Sequence, residues 1–199
     1  MMNYKVPIEI SNRHVHLSQD HIEVLFGPGH ILTPMKALSQ PGQYACEETI
    51  TLVGPKGTLE KIRVLGPARA QSQVELARTD TFKLGVKAPA RDSGDLDGTP
   101  GIELVGSHGK VQLASGVIVA TRHIHMAPSD AARFGLRDGS HVRVEIPGAR
   151  GGIFSNVLIR VSANSHMNMH IDTDEGNAFD VSNCELVNLL FDDVSLAAR

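Results

Sequence analysis

Hydrophobic and polar positions along this chain mostly alternate in short runs bounded by glycine and proline, which predicts strands and tight turns. The runs KVPIEIS, ETITLVGPKGTLEKIRVLG, GIELVGSHGKVQLASGVIVAT, HVRVEIPGARGGIFSNVLIRVS and MHIDTD are rich in Val, Ile and Thr. Gly54-Pro55-Lys56-Gly57 and Ser107-His108-Gly109-Lys110 read as hairpin turns, and the stretch from Pro147 to Gly152 as a longer β-connection. Helical signals are few. Ser18 offers a cap ahead of apolar positions at Ile22, Leu25 and Phe26, and the stretch from Pro128 to Leu136 repeats that design with Gly135 as its stop. A third helix is expected from Asn177 to about Leu190. The segment from Thr79 to Gly101 reads as a loop, long enough to carry function. Short strands joined by tight turns indicate a mainly β protein, built as small barrels or a sandwich.

One pattern occurs twice. IEISNRHVHLSQDHIEVLFG aligns with VIVATRHIHMAPSDAARFGL, each running strand, R-H-x-H, then a capped short helix. Four of the ten histidines fall in these two motifs. In a strand, residues i and i+2 share a face, so His14 and His16 project together, as do His123 and His125, while Val15 and Ile124 face the opposite, core side. Two imidazoles about 7 Å apart at Cβ suit one metal ion of the Zn, Cu, Fe, Co or Ni type. A single such pair could equally be two polar residues on a half-buried strand. Duplication in matching contexts favours two metal sites.

Further ligands are sought among the remaining His, Asp and Glu. His170 sits in an alternating strand with Met167 and Met169, near Asp172, Asp174 and Glu175, and reads equally well as an ordinary strand histidine. Glu75, in ARAQSQVEL, reads from spacing alone as a surface carboxylate. His21, His30, His108, His141 and His166 fall in turns or near helix ends and are expected to be solvated. Arg63, Arg69, Arg78, Lys83, Lys87 and Arg91 concentrate cationic groups in the central third, and an arginine beside a metal suits bidentate capture of phosphate or carboxylate.

Composition narrows the choices. The 199 residues carry a net charge of −3, which gives no electrostatic reason to expect nucleic acid or an anionic membrane as partner. No apolar run reaches the length of a membrane span and the first residues lack a signal-peptide core, so a cytoplasmic protein is expected. Two cysteines, Cys46 and Cys184, make no disulfide framework. There is no phosphate-binding loop of the P-loop or Rossmann type and no G-x-S-x-G elbow, and Cys46 has no activating partner in sequence.

The combination SNRHVHLS, KALSQPGQYACEETITLVGPKG, RVLGPAR-x-QSQVE, RDSG, TPGI-x-L, SGVIVATRHIHM and MHIDTDEGNA closely resembles the PduL-type phosphate propanoyltransferase family, the phosphotransacylases associated with propanediol-using bacterial microcompartments. The likeness runs from about Val6 to Ala178. It implies interconversion of acyl-CoA plus phosphate with acyl phosphate plus coenzyme A, on acetyl-CoA or propanoyl-CoA. It also implies two zinc ions per chain, with the active site between two small β-barrels that carry short capping α-helices. Transferred residue by residue, His14, His16 and Glu75 would hold one zinc, and His123, His125 and His170 the other. Arg69 matches the phosphate-binding arginine, with Ser93 in the associated loop. Ser11, Lys36, Arg63, Leu65, His170 and Asn177 match the coenzyme A site. Arg69, Glu75 and His125 would be the catalytic residues.

If the barrels exchange strands, residues 1–12 and 121–199 form one discontinuous barrel with a C-terminal helix, and 13–120 the other with the active-site loops. A homodimer is expected. Microcompartment members often carry an N-terminal amphipathic extension, and about five residues before Val6 are too few for that helix. The tail CELVNLLFDDVSLAAR reads as a packing or dimer helix. Two other readings stay open: a binuclear zinc hydrolase of thioesters, and a non-catalytic module that binds coenzyme A or metal.

Overall fold

Strand alternation sorts this chain's side chains into a buried apolar row and, one residue along, a polar row, and it does so twice. The computed structural model describes residues 4–190. From the N-terminus come β1 (Tyr4–Ser11), β2 (His14–His16), α1 (Gln19–Phe26), β3 (Pro34–Ala37), β4 (Tyr44–Val53), β5 (Thr58–Gly66), β6 (Gln73–Glu75), α2 (Arg78–Leu84) and β7 (Ala90–Arg91). There follow β8 (Glu103–Val105), β9 (Lys110–Gln112), β10 (Val117–Ala120), β11 (His123–Met126), α3 (Pro128–Phe134), β12 (His141–Ile146), β13 (Gly152–Val161), β14 (Asn168–Asp172), α4 (Thr173–Phe179) and β15 (Leu186–Leu190).

The chain divides into two compact units, one made of the residues up to Ser11 and from Thr121 onward, the other of Asn12–Ala120. In the first unit six strands close a barrel in the order β1-β14-β11-β13-β12-β15. Its central row is Ile8–Met169–Ile124–Ile159, paired directly across four strands and fully buried. The second unit is a nine-stranded half-barrel in the order β7-β10-β6-β2-β5-β4-β8-β9, with β3 added on β4. Its central row is Val64–Val15–Val74–Val117, again paired directly and fully buried. Each such side chain contributes roughly 1.5–3 kcal/mol by leaving water.

Each R-H-x-H motif is preceded by a strand that pairs in the other unit. β1, ahead of β2, lies parallel to β14, and β10, ahead of β11, lies parallel to β6. The expected hairpin turns join β4 to β5 and β8 to β9, closed by Gly54 N–H to Gly57 O and Gly106 N–H to Gly109 O, both 2.9 Å. The two capped helices also form. Ser18 accepts from the His21 amide, and α3 starts on Pro128 and stops at Gly135, whose φ of 67° suits glycine.

Three expectations are corrected. The third helix is shorter and earlier, Thr173–Phe179, capped by Asp172. Leu186–Leu190, assigned to a C-terminal helix by its leucine spacing, is strand β15, antiparallel to both β1 and β12. Val187 and Leu189 alternate into the barrel while Leu186 stays half exposed, a two-residue period that the leucines mask. The rest of the expected tail helix lies outside the described residues. The segment from Thr79 to Gly101 is not all loop: α2 fills its first part, with Asp80 reaching the Ala77 amide and Gly85 in the left-handed conformation at its end. Seven residues are too few for a periodic signal to stand out.

Candidate metal centres and phosphate site

In the half-barrel, the row beside the four valines reads Arg63–His14–Glu75–Ile118. Residues two positions along share its face: Leu65, His16 and Gln73. His14, His16 and Glu75 are buried and their ligand atoms all lie within 4.8 Å of one another. Glu75 Oε2 is 3.5 Å from His14 Nε2, and Oε1 is 3.8 Å from His16 Nε2. The His14 Nδ1 sits 2.8 Å from the Asn12 carbonyl, which takes the ring proton on that side and turns the Nε2 lone pair to the cluster. His16 Nδ1 is buried without a partner in good hydrogen-bonding geometry, although the Leu65 backbone lies close enough to favour its protonation.

Burial works against charge here, and the neighbours decide the outcome. Burial alone would raise the Glu75 carboxyl, but His14, His16 and Arg69 hold it well below the usual range. Burial pulls His14 down, and Glu75 more than offsets that, leaving it raised. Burial, His14 and Arg69 together drive His16 down to about 3, so it is a neutral imidazole near pH 7. Protonation of His14 and binding of a cation at its Nε2 would therefore compete.

A second set of groups joins this cluster. The Gln73 amide donates to Glu75 Oε1 (2.5 Å) and to Ser93 Oγ (2.8 Å). Ser93 Oγ donates to Glu75 Oε1 at 3.0 Å and accepts from Arg69 at 3.2 Å. Arg69 is anchored by its own amide, 2.9 Å from the Leu17 carbonyl at the end of β2. It lines an open cavity of about 290 Å³ with Pro41, Gly42, Gln43, Gly66 and Pro67. A Cβ at Gly66 would fall 2.4 Å from the Tyr44 ring, which would have to move to admit it. Lys36 and Leu65 lie on one row through Ala45, and Arg63 is two residues before Leu65. The Arg63 guanidinium also donates to the Cys46 and Glu47 carbonyls, both at 2.9 Å, where β4 departs from regular pairing.

In the closed barrel, the corresponding row reads Leu158–His123–His170–Glu9. His123, His125 and His170 bring their ligand atoms within 4.8 Å of one another. His123 Nε2 is 3.1 Å from His125 Nε2, and His123 Nδ1 is 2.8 Å from the Thr121 carbonyl, the arrangement seen at His14 and Asn12. Glu9 reaches His170 Nε2 at 3.5 Å and accepts from Asn168 at 2.8 Å. Ser11 lies across from Asp172, on the face that carries Glu9 and His170. Asn177 is on α4, which follows β14 directly.

Both donor sets fit zinc. They are imidazole and carboxylate, their closest pairs match the roughly 3.4 Å between ligands of a tetrahedral ion, and the first histidine of each has its far nitrogen held by a backbone carbonyl. The six expected ligands thus form two separate clusters of three, one in each unit. Spacing alone missed Gln73, Glu9 and Asn168. The Q-V-E alternation was a usable signal, because a buried valine at 74 puts residues 73 and 75 on one polar face. Two histidines expected to be solvated have definite partners: His21 Nδ1 meets Ser72 Oγ at 2.7 Å, and His30 Nε2 meets Glu48 at 2.8 Å. Cys46 is buried, and burial with nearby Glu48 pushes its thiol up to about 11, which does not suit a nucleophile.

Fold and site define a mainly β protein with two metal-competent clusters, one of them wired to an arginine suited to phosphate. A family model described as phosphate propanoyltransferase matches residues 7–182. A phosphate propanoyltransferase of Thermotoga maritima is 53% identical over 184 residues, 92% of this chain and 88% of the relative. One from Salmonella typhimurium is 55% identical over 184 residues (92% and 87%), and one from Citrobacter koseri 56% over 179 residues (89% and 85%). The chain belongs to the phosphate propanoyltransferase family, and it is an acyltransferase that uses phosphate. Acyl transfer takes the place of the hydrolase and non-catalytic readings. Among the described residues no helix is long and apolar enough to cross a membrane.

Proposed function

We propose that the protein is a zinc-dependent phosphate acyltransferase converting propanoyl-CoA or acetyl-CoA, with phosphate, to the acyl phosphate and coenzyme A. The observation that carries this reading is the continuous network from Arg69 through Ser93 to Glu75, which ties an anion-binding guanidinium to a three-donor metal cluster. His14, His16 and Glu75 would hold one zinc, and His123, His125 and His170 a second. Zinc bound there supplies stabilisation of a thiolate and polarisation of a carbonyl.

The chain's own residues do the rest. Arg69 and Ser93 bind phosphate and aim one of its oxygens at the thioester carbonyl, gaining rate by proximity. The guanidinium also faces the negative charge that develops as the carbonyl is attacked. Lys36, Arg63 and Leu65 in the half-barrel, and Ser11, His170 and Asn177 in the barrel, contact coenzyme A. Transfer is direct, without an acylated side chain, as the raised Cys46 thiol supports. The names of the relatives favour propanoyl-CoA, and the resemblance of the motifs adds a place in propanediol use. The working form is a homodimer in the cytoplasm. The test is acyl phosphate formation from each acyl-CoA, with and without phosphate and after chelation. Loss of turnover without phosphate and after chelation, restored by zinc, supports the reading; turnover without phosphate, or unaffected by complete metal removal, would overturn it.

A further inference from the structure

We infer that Gln73 is a positioning residue that restricts Glu75 to one ligating oxygen and couples that carboxylate to the Ser93–Gly94 turn. The inference rests on the metal reading of His14, His16 and Glu75 and adds a residue to it. Gln73 is only 1% exposed and all of its polar capacity is directed at this site. Its amide nitrogen donates to Glu75 Oε1 at 2.5 Å and to Ser93 Oγ at 2.8 Å, and its carbonyl accepts from the Gly94 amide at 2.7 Å. Ser93 adds a second hydrogen bond to the same Glu75 oxygen, at 3.0 Å.

Both acceptor directions of Oε1 are thereby used, while Oε2 faces His14 Nε2 at 3.5 Å. A carboxylate held this way binds a cation through Oε2 alone and leaves a coordination position open, as a catalytic zinc site requires. Only a side chain with a donor and an acceptor on one planar group meets a carboxylate and a backbone N–H together. A glutamate at 73 would repel Glu75, and an apolar residue would leave Gly94 N–H without its acceptor. Gln73 and Glu75 are two residues apart on β6, so the strand itself sets their relation. Because Ser93 also holds Arg69, Gln73 links metal-ligand geometry to the phosphate-binding arginine.

The test is Gln73→Met, which keeps length and loses both hydrogen-bonding functions, made in a His123→Ala background so that only this cluster is loaded. Cobalt(II) is the probe, since its visible absorption is intense at four-coordinate sites and weak at five-coordinate ones. The expected result is a several-fold fall in that absorption relative to the His123→Ala parent, with zinc affinity about 10–100-fold weaker. In metal-free protein, amide exchange at Gly94 should accelerate about 10-fold. Parent-like cobalt absorption overturns the inference, whatever the exchange shows. If Gln73→Met does not fold by far-UV circular dichroism, Gln73→Asn, one methylene too short to reach Glu75 and Gly94 together, is measured in the same way and decides it by the same absorption criterion. A parent that takes up no cobalt at this cluster refutes the metal reading itself, and the inference falls with it.

Discussion

The two clusters occupy equivalent places in two units but are not the same site. In each, the first histidine of an R-H-x-H strand pairs directly with the third donor on an antiparallel neighbour: His14 with Glu75, His123 with His170. Beyond that neighbour lies the strand that came from before the other motif, placing Ile118 beside Glu75 and Glu9 beside His170. A carboxylate is thus present on both rows, as a candidate ligand in one and next to a candidate ligand in the other. Two imidazoles with a carboxylate give an anionic donor set; three imidazoles give a neutral one. A divalent ion bound in the first would be more fully neutralised, and one bound in the second would keep more of its charge.

The largest effects should come from removing one donor at a time. His14→Ala and His125→Ala are each expected to lower kcat/KM at least about 100-fold, since even outer partners of ligands commonly account for 10–100-fold. Near-parental turnover in either would make that cluster structural. Arg69 is tied to the half-barrel cluster through Ser93. Arg69→Lys should raise the phosphate KM about 10–100-fold with a smaller change in the acyl-CoA KM, because an ammonium cannot replace a guanidinium fork. Steady-state kinetics with each substrate varied will show it, and an equal rise in both would count against a phosphate role.

The motif arginines make a second comparison. Arg13 pairs with Asp80 at 3.0 Å, and Arg122 pairs with Glu175, each partner being the third residue of a short helix. Arg122 also donates to the Ser155 carbonyl and stacks 5.0 Å from the Phe154 ring. Denaturant unfolding should therefore show Arg122→Ala losing about 2 kcal/mol, against about 0.5 kcal/mol for the more exposed Arg13→Ala.

The smallest effects concern pH and have opposite signs in the two units. Burial tends to raise the Glu48 carboxyl, but hydrogen bonds from His30 and Thr33 leave it lowered. Its contribution is present above the ordinary carboxylate pKa and is lost as pH falls through the lowered one. Glu175 is raised by burial and by Asp172, despite Arg122, so stability declines as pH rises from the ordinary value through the raised one. Thermal melts from pH 3 to 7 should show Glu48→Gln becoming less stable, relative to the parent, as pH increases. Glu175→Gln should become relatively more stable over the same interval. Slopes of the same sign would contradict one of the two environments, and both slopes reversed would contradict both.

Much of this was legible in the sequence, and the gaps have physical causes. The H-x-H strands, their inward-facing Val15 and Ile124 and the two capped helices follow from local periodicity. The third candidate ligands do not, because Glu75 and His170 reach their partners through antiparallel pairing between distant segments, and only the likeness to a known family raised them above ordinary strand positions. Gln73 escaped because the Q-V-E alternation puts it on the face of Glu75 without showing that this face is buried against the Ser93–Gly94 turn. β15 was misread because Leu186, Leu189 and Leu190 also fit a helical spacing, and barrel closure, a non-local demand, decides for the strand.

Metal content per chain is the most direct test that the two motifs build two independent centres. Zinc measured by plasma emission on folded, dialysed protein should be about two per chain in the parent and about one in both His14→Ala and His123→Ala. Loss of all zinc from either variant, or a parent with none that takes up none on titration, would contradict two separate three-donor sites.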